Sequence, residues 1–226
     1  MKRLHKGISQ FQQHFYNKER ELYQSLAKGQ SPDVLVFSCS DSRVNMNLIT
    51  QSKPGELFVV KNVGNIIPAS GPHRKKTCQA AAVEFALEVL KVSDIIICGH
   101  SDCGALKALY LDEKAFDRMP NLKDWIDTAR PVKEHIEHDA SDPMYKARMK
   151  MLEQKHVVAQ LENLRTYSLV KQAIKEEKIT LHAWYYEIET GNVYAYDSTA
   201  KTFEKIAYKD DETTESAQAV PCPKLQ

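Results

Sequence analysis

The sequence predicts an α/β fold, with a mainly parallel central sheet of about four strands flanked by helices, an N-terminal helical arm and an edge hairpin strand. Three observations predict it. Val34-Leu35-Val36-Phe37 and Ile95-Ile96-Ile97-Cys98 are continuous apolar runs of β-formers, as expected of strands covered on both faces. Between them, from Thr77 to Lys91, the apolar residues change to a helical period, so the strands are joined by a crossover. Each run is followed at once by a polar cluster, Cys39-Ser40-Asp41-Ser42-Arg43 and Gly99-His100-Ser101-Asp102-Cys103-Gly104. Open α/β sheets form their binding sites at such strand ends.

Taken in chain order, residues 1–28 read as a helical arm with Phe11, Phe15, Leu22 and Leu26 near helical spacing among many charges. That stripe needs a cover, from the body of the chain or from a second subunit. Val34 to Ser38 is the first strand, and Leu57-Phe58-Val59-Val60, introduced by Pro54-Gly55, is the second. In the helix that follows, Thr77 is the expected N-cap. Cys78, Ala81, Ala82, Phe85 and Val89 form its expected apolar face, opposite Glu84 and Glu88. Ile95 to Cys98 is the third strand, and a helix is expected from Gly104 to Tyr110. Lys123 to Lys178 reads as long, charged and helical, broken at Pro131 and Pro143. Leu181 to Ile188 is the fourth strand, turned by Thr190-Gly191-Asn192 into the edge hairpin strand Val193-Tyr194-Ala195-Tyr196. One domain is expected over residues 1–208, and residues 209–226 read as a mobile polar tail.

Composition narrows the function. The chain has 226 residues, 42% hydrophobic and 27% charged, as in a globular protein with a substantial core. Its 31 basic and 30 acidic side chains nearly cancel, so nothing favours nucleic acid or an anionic membrane as partner. No run approaches the ~20 apolar residues of a membrane span, and the N-terminus lacks the apolar core of a secretory signal. Five cysteines, an odd number, argue for a reducing compartment, with cytoplasm as the expected location.

The clusters carry the chemistry. Cys39, Asp41 and Arg43 are spaced i, i+2, i+4, which on an extended backbone puts thiol, carboxylate and guanidinium on one face. His100 and Cys103 sit at a strand-to-helix turn, where the helix dipole favours a thiolate. Two thiolates and one imidazole make a three-ligand set with one position open, which suits a catalytic zinc rather than a closed structural one. Such a site carries no net formal charge before its fourth ligand. Asp41 is placed to accept a hydrogen bond from a zinc-bound hydroxide while Arg43 keeps it ionised. The same spacing lets Asp41 rotate and become the fourth ligand. Taken singly, these residues read as buried cysteines, a satisfied histidine and a surface ion pair. Both clusters at strand ends make the joint reading the better one. Cys98 and Cys78 read as core and Cys222 as incidental. His5, His14, His135, His138 and His156, in charged helical stretches, read as solvated, and His73 lies in a loop.

These residues resemble the β-class carbonic anhydrases, zinc enzymes that interconvert carbon dioxide and bicarbonate. Their motifs C-x-D-x-R and H-x-x-C stand here as Cys39-Ser40-Asp41-Ser42-Arg43 and His100-Ser101-Asp102-Cys103. The resemblance runs from Gln30 to Leu109, with Pro54-Gly55-Glu56 and Lys61-Asn62-Val63-Gly64-Asn65, and returns near His182-Ala183-Trp184-Tyr185-Tyr186. It implies one zinc per subunit on Cys39, His100 and Cys103, with Asp41 and Arg43 as the catalytic dyad. It also implies a substrate pocket of Gln30, Phe58, Val63 and Phe85, with the backbone N–H of Gly104 orienting an oxygen. Phe85 stands where plant-type members have a tyrosine, so that hydroxyl is missing. Val36 replaces the tryptophan, and Lys61 the arginine, of the bicarbonate-inhibited bacterial subtype, which points to the plant-like, open-site subtype. Family members are dimers or larger, with N-terminal helices clasping a neighbour. A homodimer or higher homo-oligomer is therefore expected, with Gln30, Phe58 and Val63 contributed across the interface.

Gly99-His100-Ser101-Asp102-Cys103 nearly matches the G-x-S-x-G elbow of α/β-hydrolases, with His182 as a downstream candidate, but ends in cysteine and ignores the first cluster. A zinc alcohol dehydrogenase would need a G-x-G-x-x-G, which the sequence lacks. The remaining alternatives are the same fold hydrolysing carbon disulfide or carbonyl sulfide, and a non-catalytic zinc or thiol redox module using Cys39 and Cys103.

Overall fold

The computed structural model describes residues 1–71, 77–135, 141 and 143–207. The expected mobile tail, Cys222, His73 and His138 lie outside the described residues, as does the side chain of His135.

The sheet has six strands in the order β2-β1-β3-β4-β5-β6. They are β1 (Val34–Cys39), β2 (Leu57–Asn62), β3 (Asp94–His100), β4 (Thr180–Tyr186), β5 (Val193–Asp197) and β6 (Thr202–Lys205). The first four are parallel, and β5 and β6 continue antiparallel as a meander. The expected parallel core is present. The last strand was not anticipated because Thr202-Phe203-Glu204-Lys205 carries one apolar residue; Phe203 packs its ring 5.2 Å from that of Tyr196. The fourth strand ends at Tyr186, short of the expected Ile188.

β1 and β3 are the central strands, and their apolar runs are buried, as continuous hydrophobicity requires. β2, expected to be equally covered, is an edge strand and only half-buried. From β1 the chain goes to one side to form β2 and then returns to β1's other side to form β3. The crevice beyond the carboxyl ends of β1 and β3 is therefore the topological switch point, where open α/β sheets bind ligands.

The arm comprises α1 (Lys2–Gln10), a π-helical turn at Phe11–Phe15, α2 (Tyr16–Lys18) and α3 (Arg20–Leu26). Leu4, Ile8, Phe11 and Phe15 are exposed on it. After β1 comes α4 (Met46–Ile49), and α5 (Cys78–Glu84) runs into a second π-helical stretch, Phe85–Leu90. Thr77 caps α5 as expected, its Oγ1 accepting from the Ala80 N–H at 3.2 Å.

The face that α5 presents differs from the sequence reading. Gln79, Ala82, Val83 and Ala86 are inside, whereas Cys78, Ala81, Phe85 and Val89 are exposed. Ala82, Val83 and Ala86 join the core, with Leu87 and Leu90 packed against it, while Phe85 and Val89 are left outside. Cys78 is thus a surface thiol, not core.

Short α6 (Gly104–Ala108) leaves the second cluster, followed by α7 (Pro120–Asp127), α8 (Tyr145–Arg165) and α9 (Ser168–Lys175). α8 crosses β3 closely enough that a Cβ at Gly99 would stand 2.3 Å from Val157 Cγ2, so glycine is required there. α8's buried face interleaves Leu152, Val157 and Leu161 with Glu153, His156 and Gln160. His156 is therefore buried, not solvated. Its Nε2 donates to the Gly64 carbonyl at 2.8 Å, and Gln160 pairs with its Nδ1 at 3.3 Å and with the Ile67 N–H at 2.8 Å. Burial holds the His156 imidazole down to about 4 from an ordinary 6.5, so it is neutral in the fold. Unfolding frees it to take a proton below pH 6.5, so stability is full above that pH and falls as pH drops toward 4. The loss approaches about 3 kcal/mol. Urea unfolding at pH 7 and pH 5 should show a steeper loss in the parent than in His156→Gln, which keeps a donor for Gly64; equal losses would exclude it.

Candidate metal centre

β1 delivers Cys39 as its last residue, and β3, hydrogen-bonded beside it, delivers His100. Cys103 follows as the N-cap of α6. One ligand atom from each of Cys39, His100 and Cys103 lies within 4.8 Å of the other two. All three residues are buried.

The atoms suit a metal. His100 Nδ1 is 2.8 Å from the Ser101 carbonyl, which can only accept, so Nδ1 carries the proton and Nε2 presents a lone pair. That Nε2 is buried with no hydrogen-bond partner among the described residues. A lone pair without a donor, facing two thiols, is costly in a protein interior unless an ion fills the space. With two sulfurs and one nitrogen as donors, the set fits Zn²⁺.

Electrostatics favour the required thiolate. Cys39 is lowered from about 9 to about 4, mainly by a hydrogen bond from the Cys103 thiol. The N–H groups of Asp41 and Gly64 also donate to its Sγ, each at 3.4 Å. Gly64 has φ +80°, and a Cβ there would meet Ala105 Cβ at 2.9 Å, so only glycine brings this N–H to the sulfur comfortably. Cys103 shifts up, not down as its place at a helix start predicts, chiefly because it donates to Cys39 and is buried. Burial alone pushes the Cys98 thiol up to about 12, so it stays protonated as the core residue expected.

Asp41 and Arg43 meet, but not along a strand. β1 ends at Cys39, and the two residues lie in the turn beyond, where the Arg43 N–H donates to Asp41 Oδ1 at 2.9 Å. Arg43 Nε and Nη2 then reach Asp41 Oδ1 and Oδ2 at 3.0 and 2.8 Å, a two-pronged grip. These bonds hold the Asp41 carboxyl well below the usual carboxylate range. Asp41 Oδ2 is 3.9 Å from His100 Nε2, so the carboxylate borders the ligand cluster. Lys61, from β2, donates to the carbonyls of Val44 and Asp41 at 2.7 and 3.3 Å and fastens this turn to the sheet.

Of the expected pocket residues, Val63 and Gly104 lie beside the cluster within the chain: Val63 precedes Gly64, and Gly104 follows Cys103 with open space at its Cα. Phe58 and Phe85 pack together, ring centroids 5.8 Å apart, but Phe58 pairs in register with Leu35, four residues before Cys39. Gln30 is exposed ahead of β1, at the opposite end of that strand, roughly 20 Å of strand from Cys39. One chain therefore does not bring Gln30, Phe58 and Phe85 to its own ligand cluster.

Two supports escaped the sequence reading. Gly64 carries no side chain to announce a role, and Glu153, buried on α8, accepts from the Cys103 N–H at 3.2 Å and the Tyr185 hydroxyl at 2.7 Å. The hydrolase elbow is not assembled. His182 Nε2 is bound to Asp94 at 2.7 Å near the start of the strands, while Ser101 Oγ accepts the Ile188 N–H at 2.9 Å at their far end.

Comparison with known proteins agrees with this geometry. The carbonic anhydrase family model matches residues 34–193. A carbonic anhydrase of Pseudomonas aeruginosa is 41% identical over 204 residues, spanning 89% of this chain and 90% of its own. Carbonic anhydrase 1 of Escherichia coli O157:H7 is 42% identical over 210 residues, 92% of this chain and 93% of its own. Among solved structures, the β-carbonic anhydrase CcaA superposes with a TM-score of 0.84 at 36% identity, covering 91% of this chain and 99% of that one. One of two tetrameric β-carbonic anhydrases from Sordaria macrospora superposes at 0.75 with 27% identity, covering 86% and 97%. The shared sequence spans both strand ends that carry the ligand cluster, and this chain belongs to the β-class carbonic anhydrases.

Proposed function

We propose that this chain catalyses the reversible hydration of carbon dioxide to bicarbonate and a proton. The observation that carries it is the unpartnered His100 Nε2 facing two thiols, with the Arg43-gripped Asp41 at the rim. Zinc held by Cys39, His100 and Cys103 would supply a water acidic enough to act as nucleophile near neutral pH. Asp41 Oδ2 accepts a hydrogen bond from the attacking oxygen and so turns a lone pair toward the substrate carbon. Arg43 keeps Asp41 an acceptor by holding it ionised. The Gly104 N–H and Gln30 orient the substrate oxygens, and Val63, Phe58 and Phe85 supply the apolar wall. The test is metal analysis with stopped-flow hydration assays, run in parallel on carbon disulfide and carbonyl sulfide. Tight zinc with no turnover of any of the three would leave a zinc or thiol module instead.

The plant-like, open-site subtype is part of this reading. It is supported by Val36 and Lys61 at the two distinguishing positions and by an Asp41 engaged with Arg43 rather than with the ligand cluster. A cytoplasmic setting is supported by Cys39, Cys78, Cys98 and Cys103, all free thiols. Among the described residues, no helix is long and apolar enough to cross a membrane.

The working unit we propose is a homodimer or larger homo-oligomer. The exposed stripe of the arm and the exposed Phe85 and Val89 of the second π-helical stretch are apolar surfaces that a second copy would cover. A neighbour would also supply Gln30, Phe58 and Phe85, which one chain cannot bring to its own cluster. The double change Phe11→Glu and Phe15→Glu should shift sedimentation to the monomer and lower hydration at least roughly tenfold with zinc retained. A variant that stays assembled, or a fully active monomer, contradicts the shared pocket.

A further inference from the structure

Arg43 has more partners than one carboxylate requires. While Nε and Nη2 grip Asp41, Nη1 donates to Asp102 Oδ2 at 2.9 Å and Nη2 also reaches the Asp102 carbonyl at 3.1 Å. The other carboxylate oxygen of Asp102 accepts from Lys107 on α6. Charges thus alternate in a row, Asp41, Arg43, Asp102, Lys107. The row crosses from the turn after β1 to the turn after β3, positions 59 residues apart in the chain. Asp102 has φ +62°, a left-handed conformation that glycine adopts freely and that Asp and Asn tolerate best among other residues. At a backbone position made for glycine, the chain carries a carboxylate.

That placement matters for Asp41. Its Oδ2 stands 3.9 Å from His100 Nε2, so a modest side-chain rotation would carry it into the ligand cluster. Arg43 opposes the rotation, yet its side chain is 43% exposed, and an exposed pair held at one end is weak and mobile. A guanidinium tethered only to Asp41 would swing with it. A second tether on the neighbouring strand's turn fixes the guanidinium, and through it the carboxylate.

We propose that Asp102 is a positioning residue that anchors Arg43 to the turn of the second motif, so that Asp41 is held facing substrate at the rim of the ligand cluster. Asp102 touches no reacting atom; it acts through Arg43. The activity arm of the test rests on the carbonic anhydrase reading, whereas the spectroscopic arm does not.

The test uses Asp102→Asn and Asp102→Gly in the full-length, zinc-loaded protein. Both residues accept the left-handed backbone, so neither change introduces strain. Solvent exchange of the Arg43 Nε–H proton is followed by NMR, alongside zinc content, kcat and KM. Expected in both variants are Arg43 exchange faster by roughly tenfold and kcat lower by roughly tenfold, with KM and zinc content unchanged. Unchanged exchange or unchanged kcat overturns the proposal. Loss of zinc with parent-like Arg43 exchange also overturns it, assigning Asp102 to the Cys103 turn instead. Should the parent itself fail to hydrate carbon dioxide, the functional reading falls, and exchange alone decides the anchor.

Discussion

Replacing His100 with alanine is expected to leave a protein that elutes nearly free of zinc and hydrates carbon dioxide at background rate. Its ring is 1% exposed, its Nδ1 is bound to the Ser101 carbonyl, and Nε2 is free for coordination. Alanine removes one of three ligands, and two sulfurs do not hold zinc against dialysis as three donors do. It also removes a residue locked between strand and turn, so thermal stability falls by the few kcal/mol expected of a large-to-small change in a core, on the order of 3 kcal/mol. Metal analysis, melting and stopped-flow assays report the three effects separately. Full zinc occupancy in a folded His100→Ala protein would refute the assignment of the centre.

Asp41→Asn should behave in the opposite way toward metal, retaining zinc while losing about 100-fold in kcat. Asn can still accept from Arg43 Nε, but its NH₂ then faces Nη2, donor against donor, where Asp41 Oδ2 now accepts at 2.8 Å. The charge that orients the attacking oxygen is gone as well. Because Arg43 keeps the Asp41 carboxyl well below the usual carboxylate range, the parent's Asp41 stays ionised throughout any neutral or mildly acidic assay. Stability from that pair is present above the ordinary carboxylate pKa of 3.8 and is lost only as pH falls through the lower folded value, so an acid limb above pH 5 belongs to another group. The variant's deficit should accordingly be nearly flat with pH between 6 and 9, on the order of 100-fold throughout. Wild-type kcat in a zinc-replete Asp41→Asn protein would remove the dyad from the mechanism.

How far the sequence spoke for itself depended on whether a residue's role lay in its own side chain. Cys39, His100 and Cys103 were legible because ligand chemistry restricts residue type, and two buried strands fixed where they sit. The parallel core was legible because β1 and β3 are covered on both faces and so read as unbroken apolar runs. The orientation of α5 was not. Its helical period allowed two faces, and the core takes Ala82, Val83 and Ala86, with Leu87 and Leu90 against it, leaving Phe85 and Val89 outside. His156 and Glu153 were hidden for a related reason. In sequence they sit among lysines and glutamates, and only the crossing of α8 over Gly99 shows that they face inward and bind backbone groups at Gly64 and Cys103. Gly64 and Lys61 act on backbone or through backbone, a use that spacing does not reveal.

The ligand atoms are steadied by the polypeptide itself: the Cys39 sulfur by amides on either side of the crevice, the His100 ring by the carbonyl beside it, and the Cys103 turn by a carboxylate reaching down from α8. Two of these tethers, from Gly64 and Glu153, join parts of the chain 25 and 50 residues apart, and Cys39 meets His100 and Cys103 only once β1 and β3 dock side by side. Assembly of the receptacle therefore precedes loading, and a chelated sample should regain its ion and its turnover on simple addition of zinc, with no passage through the denatured ensemble.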